Sequence, residues 1–154
     1  MSIAPVTASI DVGLPPAKAF DLFTNHIGEW WGREKTIAPR PPVDVTIEPR
    51  VGGRWFERDA EGEETDWGDV LAWEPPHRLL LAWRIGADWK YDPAFETEVE
   101  ILFEAVADGT CVRLEHRNLE RFGASVEKIA AGLNGGWPTQ LHLFSQLAAK
   151  EDVQ

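Results

Sequence analysis

The chain has 154 residues, 44% hydrophobic and 27% charged, with 26 acidic and 15 basic side chains giving a net charge of −11. That size suits one domain able to bury a core without metals or cross-links, and the lone cysteine, Cys111, excludes an intramolecular disulfide. The acidic balance opposes nucleic acid, which is bound mainly by cations on phosphates, and anionic membrane surfaces.

Met1 to Leu14 has neither the basic nor the apolar region of a secretory leader, and no run reaches the ~18 apolar residues of a membrane span, so the chain reads as cytoplasmic with no membrane span. From Val6 to Leu14 apolar residues alternate with polar ones, the period of a half-buried strand. Pro15-Pro16 ends it, and Ala19, Phe20, Leu22 and Phe23 fit a short amphipathic helix. Asn25 to Trp31 reads as a second short helix, with Asn25 as N-cap and Gly32 as the stop. Residues Arg33 to Pro42 carry prolines and charges and read as a loop.

Val43, Val45 and Ile47 alternate with polar residues in the next strand, and Gly52-Gly53 is a hairpin turn. Strands are expected over Arg54–Asp59, Asp66–Glu74 and Arg78–Ile85, parted by Glu61-Gly62-Glu63-Glu64 and Pro75-Pro76-His77. In the first of them Trp55 and Phe56 are adjacent, so alternation does not say which points inward. Gly86 to Phe95 reads as a loop. A strand then sets Glu96, Glu98, Glu100 and Glu104 against Thr97, Val99, Ile101 and Phe103. Asp108-Gly109 turns it into the last strand, Cys111–His116. Val126, Ile129, Ala130, Leu133, Trp137, Leu141, Phe144 and Ala148 recur at helical spacing. Gly135, Gly136 and Pro138 imply one bent helix there or two helices that meet.

A meander of antiparallel strands must bury one face, and only the C-terminal helix is long and apolar enough to cover it. The expected architecture is therefore α+β: a curved antiparallel sheet of about six to seven strands wrapped on that helix, with two short helices after the first strand. A helix laid across a strongly bent sheet need not fill the concavity, so this arrangement tends to leave a pocket between sheet and helix.

These motifs carry a resemblance along nearly the whole chain. The strand-Pro-Pro-helix opening from Ile10 to Phe20, Trp30-Trp31-Gly32, Val51-Gly52-Gly53-Arg54-Trp55, Gly68 to Trp83 around Pro75-Pro76, and Gly136-Trp137 together resemble the SRPBCC (START-like) superfamily. Within it the chain is similar to the branch related to the activator of the heat-shock-protein-90 ATPase. The resemblance implies a single helix-grip domain over 1–154. Members bind lipids, hormones, polyketides or chaperones, so it implies a hydrophobic ligand or a chaperone partner without choosing between them.

Trp55, Trp83, Phe103, Trp137, Leu141 and Phe144 are the expected pocket or core, and Trp30 and Trp31 are placed to cap its mouth. Trp67, Trp73 and Trp89 lie near loops or on uncertain parity and read as a possible exposed patch for a partner. His116 shares parity with Val112 and Leu114. It reads as a partly exposed strand-end histidine or one bonded to backbone, as a polar anchor for a ligand, or as a general acid/base. Cys111 faces the other way, and Ser125 is a nucleophile only by elimination. Gln140, flanking the helix stripe, reads as a second anchor or a solvent-edge residue. The four histidines match no metal spacing, and no cofactor is implied. The glutamate row reads as a solvated face that discourages edge pairing. Arg33, Lys35, Arg40, Arg50 and Arg54 read as scattered cations on a solvated face or as a local basic patch. With no second titratable group beside His116, the expected order is a binder of a small hydrophobic or amphipathic molecule, then a co-chaperone or other interaction module, then a cyclase- or hydrolase-like enzyme. A non-catalytic protein is thus the leading expectation.

Overall fold

The computed structural model describes residues 4–32, 40 and 42–152. In chain order the elements are β1 (Val6–Val12), α1 (Pro16–Thr24), α2 (Ile27–Trp30), β2 (Pro42–Ile47), β3 (Arg54–Asp59), β4 (Glu64–Glu74), β5 (Arg78–Trp83), β6 (Thr97–Val106) and β7 (Gly109–Arg117). A 3-10 turn over Leu119–Ser125 then leads into α3 (Val126–Asp152). The seven strands form one antiparallel sheet in the order β1-β7-β6-β5-β4-β3-β2. Strands β2 to β7 are thus a simple meander, and the first strand joins the sheet beside the last, with Val6 opposite His116 and Val12 opposite Thr110. The sheet is curved and wraps α3, the helix-grip arrangement expected from the meander and the single long helix.

Three register shifts bend the sheet and decide which side chains face inward. Between β2 and β3, Pro42 pairs with Asp59 and Asp44 with Arg58, leaving Val43 as the extra residue. Val43 is consequently exposed, against the expected alternation. Between β3 and β4, Trp55 pairs with Gly68 and Phe56 with Asp66, so Trp67 is the extra residue. It points inward beside Gly68, where backbone comes so close that a Cβ would lie 1.8 Å from the Ala82 carbonyl oxygen. The third shift falls at Leu71, between β4 and β5.

The bulges also answer the Trp55–Phe56 question. Trp55 and Glu57 face the interior, and Phe56 faces outward beneath Arg54, whose guanidinium carbon stands 4.1 Å from the ring centre. Strand β5 ends at Trp83, earlier than expected, and Ile85 meets Tyr91 in an isolated bridge.

Asn25 is not an N-cap. It closes α1, its backbone N–H bonded to the Asp21 carbonyl, and α2 is one turn preceded by His26. The C-terminal pattern resolves into one continuous helix. Pro138 removes one hydrogen bond from α3, and the Thr139 hydroxyl binds the nearby Gly135 carbonyl at 3.0 Å. Its buried stripe is Ile129, Leu133, Trp137, Leu141, Phe144 and Ala148. The loop expected over Arg33 to Pro42, with Arg33 and Lys35, lies outside the described residues apart from Arg40 and Pro42, the latter opening β2. No helix among the described residues is long and apolar enough to cross a membrane.

Candidate functional site

Alternation along each strand sends one set of side chains into the concavity, and α1, α2 and α3 close it from the other side. The enclosed region is an apolar pocket of the fold's usual kind. All eight residues expected there, Trp30, Trp55, Trp83, Phe103, His116, Trp137, Leu141 and Phe144, are brought to the interior and buried. Trp30 and Trp31 are buried too, so they form part of the wall and not a mouth.

The interior has two parts. At one end phenylalanines meet: Phe23 touches Phe103 and Phe144, and Phe20 touches Phe103 and Trp73. At the other, indoles meet mainly edge to face. Trp31, Trp55, Trp83 and Trp137 form a closed ring of contacts, with centroids 5.8–6.2 Å apart, and Trp67 packs on Trp31 and Trp55. Trp30 joins the two ends through Trp31 and Phe144. Such pairs add about 0.5–1.5 kcal/mol each beyond area burial. Two expectations are corrected here. Trp67 is buried and Trp73 is packed on Phe20, so neither belongs to an exposed patch; only Trp89 of the three is exposed.

His116 sits in this wall, fully buried and bonded to side chains, which corrects the expectation of a partly exposed or backbone-bonded residue. Trp137 Nε1 donates to its Nδ1 at 3.1 Å, and its Nε2 lies 2.8 Å from the Thr97 hydroxyl. An indole N–H can only donate, so Nδ1 accepts and Nε2 carries the proton. Nε2–H then donates to Thr97, whose own proton goes to the Trp83 carbonyl at 3.4 Å. Burial pushes the His116 pKa down to about 3. The imidazole is neutral with both nitrogens engaged. In this arrangement it positions Trp137 and does not move protons.

Gln140 is likewise an interior residue, not a solvent-edge one. It is buried, and its side-chain oxygen accepts the Gly32 N–H at 2.9 Å, tying α3 to the chain leaving α2.

Two features of the site were not singled out in the sequence. Glu57 is a carboxylate only 1% exposed, facing the rings, with Trp67 Nε1 donating to its Oε1 at 2.8 Å. Its spacing of two from Trp55 and from buried Asp59 was the available signal. Asp59 itself is a turn residue, accepting the Glu61 and Glu63 N–H groups and a guanidinium bond from Arg40. The second feature is Trp55 Nε1, a buried N–H with no hydrogen-bond partner among the described residues. Leaving such a donor unpaired costs about 1–3 kcal/mol.

The convex face is different in kind. Arg117 pairs with Glu98, Glu100 and Glu115, Arg78 with Glu100, Arg84 with Asp69 and Glu96, and Arg54 with Glu64 and Asp66. The glutamate row is therefore one half of an ion-pair lattice and not a bare solvated face. Arg40, Arg50 and Arg54 are all paired with carboxylates, so they form no free basic patch. A cleft of about 610 Å³ crosses this face, lined in part by Thr7, Ser9, Arg113 and Cys111. Burial, then Asp11, raises the Cys111 thiol above its usual range, which leaves it a poor nucleophile.

A family model described as "Activator of Hsp90 ATPase homolog 1-like protein" matches residues 13–149. Among curated proteins none matches the chain. Solved structures do. One is Txn09, an anthrahydroquino-gamma-pyrone synthase, 34% identical, covering 94% of this chain and 97% of its own, with a TM-score of 0.66. Another is CalC from Micromonospora echinospora, a self-sacrificing resistance protein, 30% identical with 96% of each chain covered and a TM-score of 0.68. A protein from Mesorhizobium loti is 25% identical, covering 95% and 97%, with a TM-score of 0.70. The expectation of a non-catalytic protein is corrected by the first of these, since the same fold at this level of identity includes a synthase.

Proposed function

Because the chain belongs to the family of activator of Hsp90 ATPase homolog 1-like proteins, we propose that its pocket takes a small, flat hydrophobic molecule and that the protein acts on it as an enzyme. The observation that carries this reading is the indole-lined end of the interior, where five tryptophans from the C-cap of α2, β3, β4, β5 and α3 come together with two polar groups, Trp55 Nε1 and the Glu57 carboxylate. Aromatic walls favour a ligand with extended π-faces. Burial at ~25 cal/mol per Å² makes a few hundred Å² enough for micromolar binding after association costs. The 34% identical synthase supports catalysis, and Glu57 is the carboxylate that faces these rings.

The test is native mass spectrometry of freshly purified protein, followed by incubation with polycyclic phenols and quinones and analysis of the products. A retained molecule or a new product, with turnover lost in Glu57→Gln while binding persists, is the expected result. No retained molecule, no binding and no product across the panel sinks the reading.

A co-chaperone-like interaction is the second reading. The family description and the exposed Trp89 and Tyr91 on the loop after β5 favour it. Stimulation of an Hsp90 ATPase that is lost in Trp89→Ser supports it, and an unchanged ATPase rate rejects it.

A further inference from the structure

The interior indole N–H groups differ in one respect. Trp30 donates to the Phe23 carbonyl, Trp67 to Glu57, Trp83 to the Ile85 carbonyl and Trp137 to His116, at 2.8–3.3 Å. Trp55, the most deeply buried of these at 1% exposure, donates to nothing among the described residues. Its ring lies against Trp31, Trp67 and Trp83, whose centroids are 6.2, 5.4 and 5.9 Å away. It is held from behind by strand pairing on both sides, to Ile47 of β2 and Gly68 of β4. Buried donors in native interiors are nearly always paired, so a fixed and unpaired one calls for an acceptor from outside the chain.

We infer that the ligand of this pocket carries a carbonyl-type oxygen and seats it on Nε1–H of Trp55, its flat body lying among the surrounding indoles. This rests on the reading of the interior as a ligand site and narrows it to a substrate class: planar aromatic ketones, quinones or pyranones. A carbonyl satisfies the donor without bringing one of its own. A hydroxyl can also accept from Nε1, but its own proton then needs an acceptor such as the Glu57 carboxylate, already bonded by Trp67, and a cationic group sets positive charge against the positive end of an N–H dipole. A plain hydrocarbon leaves the donor as it stands.

The test compares xanthone with xanthene, which share three fused rings and a ring ether and differ in a carbonyl against a methylene. Both are titrated by calorimetry into the full chain, into Trp55→Phe, and into protein carrying 3-benzothienylalanine at position 55. The last keeps the bicyclic shape and loses only the N–H, so it remains informative if Trp55→Phe folds poorly. The native protein is expected to bind xanthone about tenfold more tightly than xanthene. Removing the N–H is expected to erase that ratio by weakening xanthone, leaving xanthene within about twofold. The ligand-free melting temperature of the isostere is expected to be unchanged or higher, because the lost donor had no partner. Equal affinity for the two probes in native protein overturns the anchor and leaves the pocket reading intact. A lower melting temperature for the isostere also overturns it, by revealing an existing partner such as an interior water. Binding of neither probe removes the pocket reading for flat aromatics, and the anchor with it.

Discussion

The two faces of one sheet follow different physics. The concave face buries rings, and among the described residues its polar groups are few and individually placed, with His116, Thr97 and Glu57 hydrogen-bonded and Trp55 Nε1 without a partner. The convex face is a lattice of arginines and carboxylates, most of them partly exposed. Removal of a buried ring leaves a cavity, and removal of one partner in a buried polar chain leaves a desolvated group. Removal of one surface charge leaves water in its place. Stability is therefore expected to reside mainly on the inner face.

The largest effect is expected at Phe144, which touches Phe23 and Trp30 from α3. Phe144→Ala is expected to cost about 3–5 kcal/mol in denaturant unfolding; a loss under about 1 kcal/mol would mean the interior is loosely filled.

Acid is the next probe. The His116 pKa is about 3 when folded and near 6.5 when unfolded. A depressed folded value gives stability that is full above pH 6.5 and falls as pH drops toward 3, since the unfolded chain binds the extra proton. Between pH 6.5 and 4.5 the native protein should lose roughly 2–3 kcal/mol more than His116→Gln. Parallel pH curves for the two proteins would refute the buried neutral imidazole.

Thr97→Val removes the acceptor for His116 Nε2–H at nearly constant volume. About 1–3 kcal/mol should be lost by thermal unfolding, and a neutral effect would show that His116 relaxes to another partner. The smallest change belongs to the outer face. Arg117→Ala, although it touches three carboxylates, should cost under about 1 kcal/mol, and less still in high salt. A larger, salt-resistant loss would place the lattice on the same footing as the core.

Much of the inner face was legible in the sequence because alternation is a strict rule over an undisturbed strand. Val112, Leu114 and His116 were placed inward by parity alone, and β7 keeps its register throughout. The rule fails where a residue is inserted. Trp67 is the extra residue of a bulge, so its parity was ambiguous and its burial unreadable. Glu57 follows Phe56, whose burial on the opposite face under Arg54 hides the alternation that would have placed the carboxylate inside. The partners of His116 come from β6 and α3, 19 and 21 residues away, and no local pattern encodes a hydrogen bond across that separation. Asn25 has the right chemistry for an N-cap, but α1 runs on to it and uses its N–H first.

Six of the eight tryptophans, Trp30, Trp31, Trp55, Trp67, Trp83 and Trp137, form one connected set of rings with centroids 5.3–6.2 Å apart. At that spacing light absorbed by one indole migrates to its neighbours before it is emitted. The six thus behave as a single antenna, with the colour of the whole set by its lowest-energy member. A quencher arriving beside any one of them darkens them all, so the protein carries a built-in optical gauge of what enters its interior.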